Sequence, residues 1–435
     1  MGRRVRRLWL LPIVAVIAAG CGSDDDGSSD AETTTAAPAA TSAAATTAAS
    51  PAPSDGSSDG SSADVSAAPA ADGEPIKLMS IYVKNNPAFS QPQTFAGAQA
   101  RVEAINADGG INGHPIELIE CDSNLDPNQE KACIDQAIAE QVSAVVSSSI
   151  FFTPLTSLEE AGIPFIGAQG ITPDQLSNPI SYPFSGVQGW FQGQVAIAVA
   201  AGAESVTIVT GDTASSQYSE SIAAAAAQAA GLTLNQSVVA AIGKADYTAE
   251  AAAAIADDPD AVLMNGPAEV LTKFTLAMRQ AGYTGLIVSF GSGIGGDAIE
   301  SLGDSGEGVK VSLIARPISD TSDSTVAQFI AEMEATDSSA AQDELAEYGW
   351  SSVYLFAEVM KDAAAYDAAA TIAAFDLVDS PISGGLFGPF QGTGTAVSPD
   401  TPRLFALSYI EGEVKDGVLV ANGDFQDPAD QLAGG

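Results

Sequence analysis

Two periodicities alternate along residues 76–302. Short apolar runs rich in β-branched residues stand at 76–83, 115–121, 143–147, 163–167, 205–210, 261–265 and 286–290, and read as strands. Between them, apolar positions recur every three or four residues, as with Ala100, Val102 and Ile105 inside 95–107, and these stretches read as helices. Further helices are predicted over 155–161, 218–230, 270–282 and 297–302. Another start is marked by Asp126 as N-cap, Pro127 at the first helical position and Gln129 completing a capping box. Strands alternating with helices of this length predict parallel sheets covered on both faces. Ligands of such sheets bind where strand C-termini meet loops. The loops after Val83, Val146, Ile166, Thr210, Asn265 and Phe290 are therefore expected to face one cleft.

The alternation stops before residue 76. Residues 22–75 are nearly all Ala, Thr, Ser, Pro, Gly and Asp, with Val65 the one sizeable apolar side chain. Such a stretch buries too little apolar area to offset the entropy of ordering it, so 21–75 is expected to be a disordered tether. Ahead of it, Arg3, Arg4, Arg6 and Arg7 lead into an apolar run over 8–19 that ends in Ala18-Ala19-Gly20-Cys21. A membrane-spanning helix needs ~20 apolar residues, so this shorter run reads as a cleaved signal over 1–20. Cys21 behind small residues resembles the bacterial lipobox, in which the thiol is lipid-modified and becomes the new N-terminus. An ordinary secretory signal with an unrelated Cys is the alternative. About 360 residues follow the tether, enough for two lobes of ordinary domain size.

Acidic residues outnumber basic ones 55 to 16, a net charge of −39. That balance excludes nucleic acid, which needs clustered Lys and Arg, and electrostatic docking on anionic lipid. Cys121 and Cys133 are an even pair in an exported chain and read as a disulfide, with two buried thiols as the alternative. His114 is the only histidine and sits in a turn, so it reads as an exposed turn residue and no metal site is expected. Asp122, Asn124 and Asp126 have the opening spacing of a calcium loop, but Pro127 occupies the place where Gly is needed. Gly291 to Gly296 satisfy G-x-G-x-x-G between a strand and a helix. The acidic residue such a nucleotide site needs about 20 residues on is not evident, and a loop approaching another ligand is the preferred reading. Trp190 and Phe191, with Phe184 before them, line a cleft or pack a lobe; packing is preferred. No cofactor is expected.

The segment Gly97-Ala98-Gln99-Ala100-Arg101-Val102-Glu103-Ala104-Ile105-Asn106-Ala107-Asp108-Gly109-Gly110-Ile111-Asn112-Gly113 resembles the signature of type I periplasmic-binding proteins, the leucine/isoleucine/valine- and amide-binding receptors of ABC importers. Gly109 and Gly110 end a helix in left-handed conformations, and Gly113 turns the chain back. Residues 116–127, 161–166, the Tyr218 region, Glu347-Tyr348-Gly349-Trp350, Ala357 and Gly388-Pro389-Phe390 extend the resemblance over 76–420. It implies an α/β fold of two doubly wound parallel-sheet lobes joined by three crossovers. Lobe one is expected over 76–186 plus 317–388, and lobe two over 187–316 plus 389–435. The crossovers are expected near 185–190, 315–318 and 388–391. The resemblance places a ligand carboxylate on Ser148 or Ser149 and on Gln169 and Thr172, where charge-assisted hydrogen bonds from neutral groups suffice. Tyr218 is implied as the aromatic that closes from lobe two, and Phe89 as a contact to the ligand side chain. The acid that holds a ligand ammonium in this family belongs near Gly293, where no Glu is present. The Asp often found at the first crossover is also missing, where Gln188 and Gly189 stand. Asp212 or Glu269 is the candidate substitute.

The resulting expectation is a solute-binding protein, not an enzyme, anchored outside the cytoplasm by lipid on Cys21. It captures a branched-chain amino acid-like, amide or small carboxylate ligand between its lobes and hands it to ABC permease subunits, as a monomer. A ligand-sensing receptor subunit on the same fold is the alternative.

Overall fold

The computed structural model describes residues 71–87 and 90–433. Cys21, the signal segment, nearly all of the tether and Phe89 lie outside the described residues. Five strands form the first sheet: β1 (Ile76–Tyr82), β2 (Ile116–Asp122), β3 (Ala144–Val146), β4 (Phe165–Ala168) and β5 (Ser181–Pro183). Their order is β2-β1-β3-β4-β5 and every pairing is parallel. The second sheet holds β6 (Ser205–Gly211), β7 (Thr233–Ala240), β8 (Ala261–Asn265), β9 (Leu286–Phe290) and β10 (Lys310–Leu313). A small hairpin follows, β11 (Ile382–Gly384) with β12 (Phe387–Phe390). The chain then returns to the second sheet with β13 (Ile410–Lys415) and β14 (Val418–Ala421). That sheet runs β14-β13-β10-β9-β8-β6-β7, parallel except for the antiparallel β13 and β14 at one edge. All five residues of β8 are buried, as a strand covered on both faces requires.

Two lobes result, one per sheet, and the chain passes between them three times. Phe184 and Ser185 form the first passage, and Ala315–Pro317 the second. Arg316 N–H donates to the Leu386 carbonyl at 2.8 Å, and Ala315 bridges Phe387, so the second passage lies beside the β11–β12 hairpin. The chain beyond 388–391 keeps contact with lobe one. Arg403 N–H still donates to Leu176 of lobe one, and its guanidinium sits 4.7 Å over the Tyr182 ring. Phe387 stacks on Phe184 of the first passage with ring centroids 4.7 Å apart, and further on Ser408 N–H donates to Ser185 Oγ at 2.9 Å.

Local rules account for the turns that set this frame. Gly109, Gly110 and Gly113 take φ of 99°, 72° and 86°, the left-handed region in which a Cβ is strained. Asp126 caps the helix Pro127–Glu140 by accepting from the N–H groups of Asn128 and Gln129 at 2.9 Å each. The capping box is not completed, because the Asp126 N–H donates to the Ser123 carbonyl instead. Cys121 at the end of β2 and Cys133 on that helix form a disulfide, with Cα atoms 5.7 Å apart. His114 is half-buried, its ring against Tyr366 and its Nδ1 2.9 Å from the Glu74 carbonyl.

The helices Pro92–Ala107 and Glu344–Met360 cross at glycines on lobe one. A Cβ on Gly97 would stand 2.0 Å from the Ala346 carbonyl oxygen, and one on Gly349 would stand 1.9 Å from that of Thr94. Backbone therefore packs on backbone, which fixes where the first turn of Glu344–Met360 points.

Candidate functional site

That first turn meets lobe two across a cavity of 450 Å3. Gly291, Ile294 and Leu419 line it from lobe two, Ala315 and Pro317 from the second passage, and Glu344, Leu345 and Glu347 from lobe one. The wall is largely apolar, its polar side chains being Ser319, Gln342 and the acids at the helix start. Asp343 there is fully used: it caps the helix by accepting from Leu345 and Ala346 N–H at 3.1 Å each, and it accepts from Gln93 Nε2 at 3.0 Å. Glu344 and Glu347 are different. They sit three residues apart on one helix face, and neither carboxylate has a hydrogen bond or ion pair among the described residues. Glu347 is only 4 % exposed. Burial, then the Asp343 charge, pushes the Glu344 carboxyl up to about 8. Burial, with Glu344 and Asp343 beside it, holds Glu347 well above the usual carboxylate range.

Opposite them runs the glycine-rich loop. It follows β9, makes a tight turn over Gly291–Gly293 and enters the helix Gly296–Leu302. A Cβ on Gly291 would stand 2.2 Å from Glu344 Oε2 and 3.3 Å from Trp190 Nε1. Glycine thus makes room for a carboxylate arriving from the other lobe. No Lys or Arg lines the cavity beside this loop to pair with a phosphate. Trp190 is 8 % exposed and its indole N–H is buried without a partner. Its ring packs on Phe290 and Phe191, and the three also line an adjoining cavity of 240 Å3 with Thr213, Ser216 and Pro267. The aromatic cluster therefore packs lobe two and lines a cavity at once. A groove of 660 Å3 on the flank of lobe one has matched charges instead, with Lys84 Nζ 2.7 Å from Glu120, which also accepts from Tyr82.

The sequence pattern of the family described as periplasmic binding protein matches residues 85–401. That is well over half of the chain. This protein belongs to the periplasmic binding protein family. Solved structures share its fold. The ABC transporter substrate-binding protein from Sphaerobacter thermophilus is 18 % identical, with a TM-score of 0.66 over 82 % of this chain and 100 % of its own. The leucine binding protein LivK from Thermotoga maritima is 16 % identical, with a TM-score of 0.61 over 82 % and 99 %. The substrate-binding periplasmic protein from Ralstonia solanacearum is 17 % identical, with 0.63 over 80 % and 100 %. No curated protein sequence matches the chain.

Within this periplasmic binding protein the residues nominated from sequence are scattered by role. Ser148 Oγ is committed to the fold: it accepts from Ile81 N–H at 2.8 Å and donates to the Val146 carbonyl at 2.7 Å. Ser149 is buried with its Oγ unpartnered. Thr172 caps the short helix Pro173–Ser177, and the Gln169 carbonyl accepts from Val187 N–H at the first passage. Tyr218 is 36 % exposed and its hydroxyl accepts from Gln188 Nε2 at 3.3 Å. Gly293 is buried, and a Cβ there would stand 2.8 Å from Leu271 and Phe290 side-chain atoms. None of these six lines the 450 Å3 cavity. The two replacement acids are engaged elsewhere: Asp212 accepts from Ile242 N–H, and Glu269 pairs with Lys273. Sequence reading missed Glu344 and Glu347. Their signal was present, as two acids at helical spacing leading into the buried apolar run of one helix.

Proposed function

We propose that this chain is a lipid-anchored, extracytoplasmic solute-binding protein that closes two lobes around a small ligand and delivers it to an ABC importer. Family membership and the interlobe cavity support this reading, and the cavity carries it: its wall is shared by both lobes and by a passage between them. A ligand touching both lobes stabilises the closed state by its differential affinity for that state. Among the described residues no helix is long and apolar enough to cross a membrane. Attachment is assigned to lipid on Cys21, with residues 21–75 as the tether. Cys21→Ser is expected to release the protein from membranes; unchanged detergent partitioning would refute the anchor. Of the ligand classes expected from sequence, a free carboxylate fits the cavity worst, because no Lys, Arg or His lines it to pair with that charge. Native mass spectrometry of the purified protein tests the reading. A bound small molecule, whose return to stripped protein contracts the particle in small-angle scattering, is expected. Absence of any bindable small molecule, or chemical turnover of one, would overturn it.

A further inference from the structure

Glu344 and Glu347 hold two carboxyl groups at the wall of a largely apolar cavity, and no Lys, Arg or His lines that cavity. A buried carboxyl without a partner takes up a proton, and an arriving cation that pairs with it restores its charge. Asp343 shows what a purely structural acid at this helix start does, since both its hydrogen-bonding roles are filled. The neighbouring pair has no such role. A separate observation comes from the other lobe: the Trp190 indole N–H, more than nine-tenths buried and unpartnered, faces the same side of Gly291 as Glu344 Oε2. The cavity therefore offers acceptors for a cation and an apolar wall of Ile294, Leu345 and Leu419, and one lone donor, the Trp190 indole N–H, borders it behind Gly291.

We propose that the ligand is a small organic ammonium compound that bears a neutral hydrogen-bond acceptor and no carboxylate. Its ammonium lies between Glu344 and Glu347, its neutral oxygen accepts from Trp190, and its hydrocarbon body lies on the apolar wall. This rests on the solute-binding reading above and adds the charge of the solute. A zwitterion or an anion is disfavoured because its negative end meets no cation at the wall. The arrangement also explains a glycine at position 291, where any side chain would collide with Glu344.

The test is titration calorimetry of the stripped full-length protein with leucinol, isopentylamine, isovaleramide and isovalerate, which share one hydrocarbon body and differ in charge. Leucinol is expected to bind best, isopentylamine next, and isovalerate not at all. Glu344→Gln with Glu347→Gln keeps side-chain shape and is expected to weaken both amines at least about 100-fold, because each carboxylate–ammonium contact is charge-assisted and desolvated. Trp190→Phe is expected to cost leucinol about tenfold and isopentylamine nothing. A thermal melt of each variant confirms folding. Isovaleramide or isovalerate binding as tightly as the amines, or amines binding the double variant undiminished, would overturn the cation assignment and leave the solute-binding reading standing. Failure of both amines to bind at millimolar concentration would overturn it too. The solute-binding reading itself fails if native mass spectrometry and scattering show no ligand of any charge, or if a bound molecule is chemically turned over.

Discussion

A carboxyl group with a raised pKa binds its proton more tightly in the folded chain than in the unfolded one. Folding stability then falls as pH rises from the unfolded value, about 4.3, to the folded value, and the penalty is complete above it. For Glu344 that window closes at about 8, and Glu347 is shifted in the same direction. The empty protein is thus expected to be less stable at pH 8 than these two positions require. Glu344→Gln should raise the melting temperature at pH 8 by on the order of 2–4 °C and leave it unchanged near pH 4. Calorimetric melts of parent and variant at both pH values check this; a variant less stable at pH 8 would show that an unrecognised cation pairs with Glu344. At this scale sequence identified types better than occupancy. Ser148 and Ser149 are adjacent and alike on paper, yet one hydroxyl has both its roles filled by backbone and the other has none. Such accounting depends on which backbone groups lie nearby after folding, and only the fold supplies it.

Helices and turns follow local chemistry more closely. The Asp126 cap, the left-handed Gly109 and Gly110, and the Cys121–Cys133 link all rest on neighbours close in sequence, and each was legible. Breaking the link with Cys133→Ser should cost about 3 kcal/mol, read by denaturant unfolding in the presence and absence of reductant. Elements whose partners are distant were harder to read. The short β5 and β10, the partly exposed β7 and the antiparallel β13–β14 edge carry weak or mixed apolar runs, and their strand state is imposed by pairing. The placement of Arg403 is of the same kind, since Leu176 and Tyr182 tie it to lobe one from more than 200 residues away in the chain. The crossing of Pro92–Ala107 with Glu344–Met360 is the element-scale feature that serves the site. Gly349→Ala would drive a Cβ into the Thr94 carbonyl and should destabilise by about 1–3 kcal/mol. Because that crossing aims Glu344 and Glu347, ligand affinity should fall as well, whereas Cys133→Ser, on the other side of the first sheet, should leave affinity unaltered. Equal affinity losses in both variants would show that stability alone drives the effect.

At the scale of the whole molecule the net charge of −39 becomes part of how the site fills. A protein field of one sign raises the local concentration of oppositely charged ligands and lowers that of like-charged ones, and salt removes both effects over a Debye length of about 10 Å at 0.1 M. Glu344 and Glu347 stand at the cavity wall with no ion-pair partner among the described residues. Association of an ammonium ligand should therefore slow as salt rises, while its dissociation, set by contacts inside the closed cavity, changes little. Trp190 borders Gly291 and provides the signal. Stopped-flow fluorescence with leucinol between 0.02 and 0.5 M NaCl, concentrations chosen to take the Debye length from ~20 Å to ~4 Å, should give a falling on-rate, with the signal lost in Trp190→Phe. The Glu344→Gln and Glu347→Gln double variant separates field from contact. It retains nearly all of the negative charge, so the salt slope of any residual binding should persist while the off-rate rises steeply. An on-rate indifferent to salt would mean that the ligand reaches the cleft uncharged, and the carboxylates at the helix start would then need a different explanation.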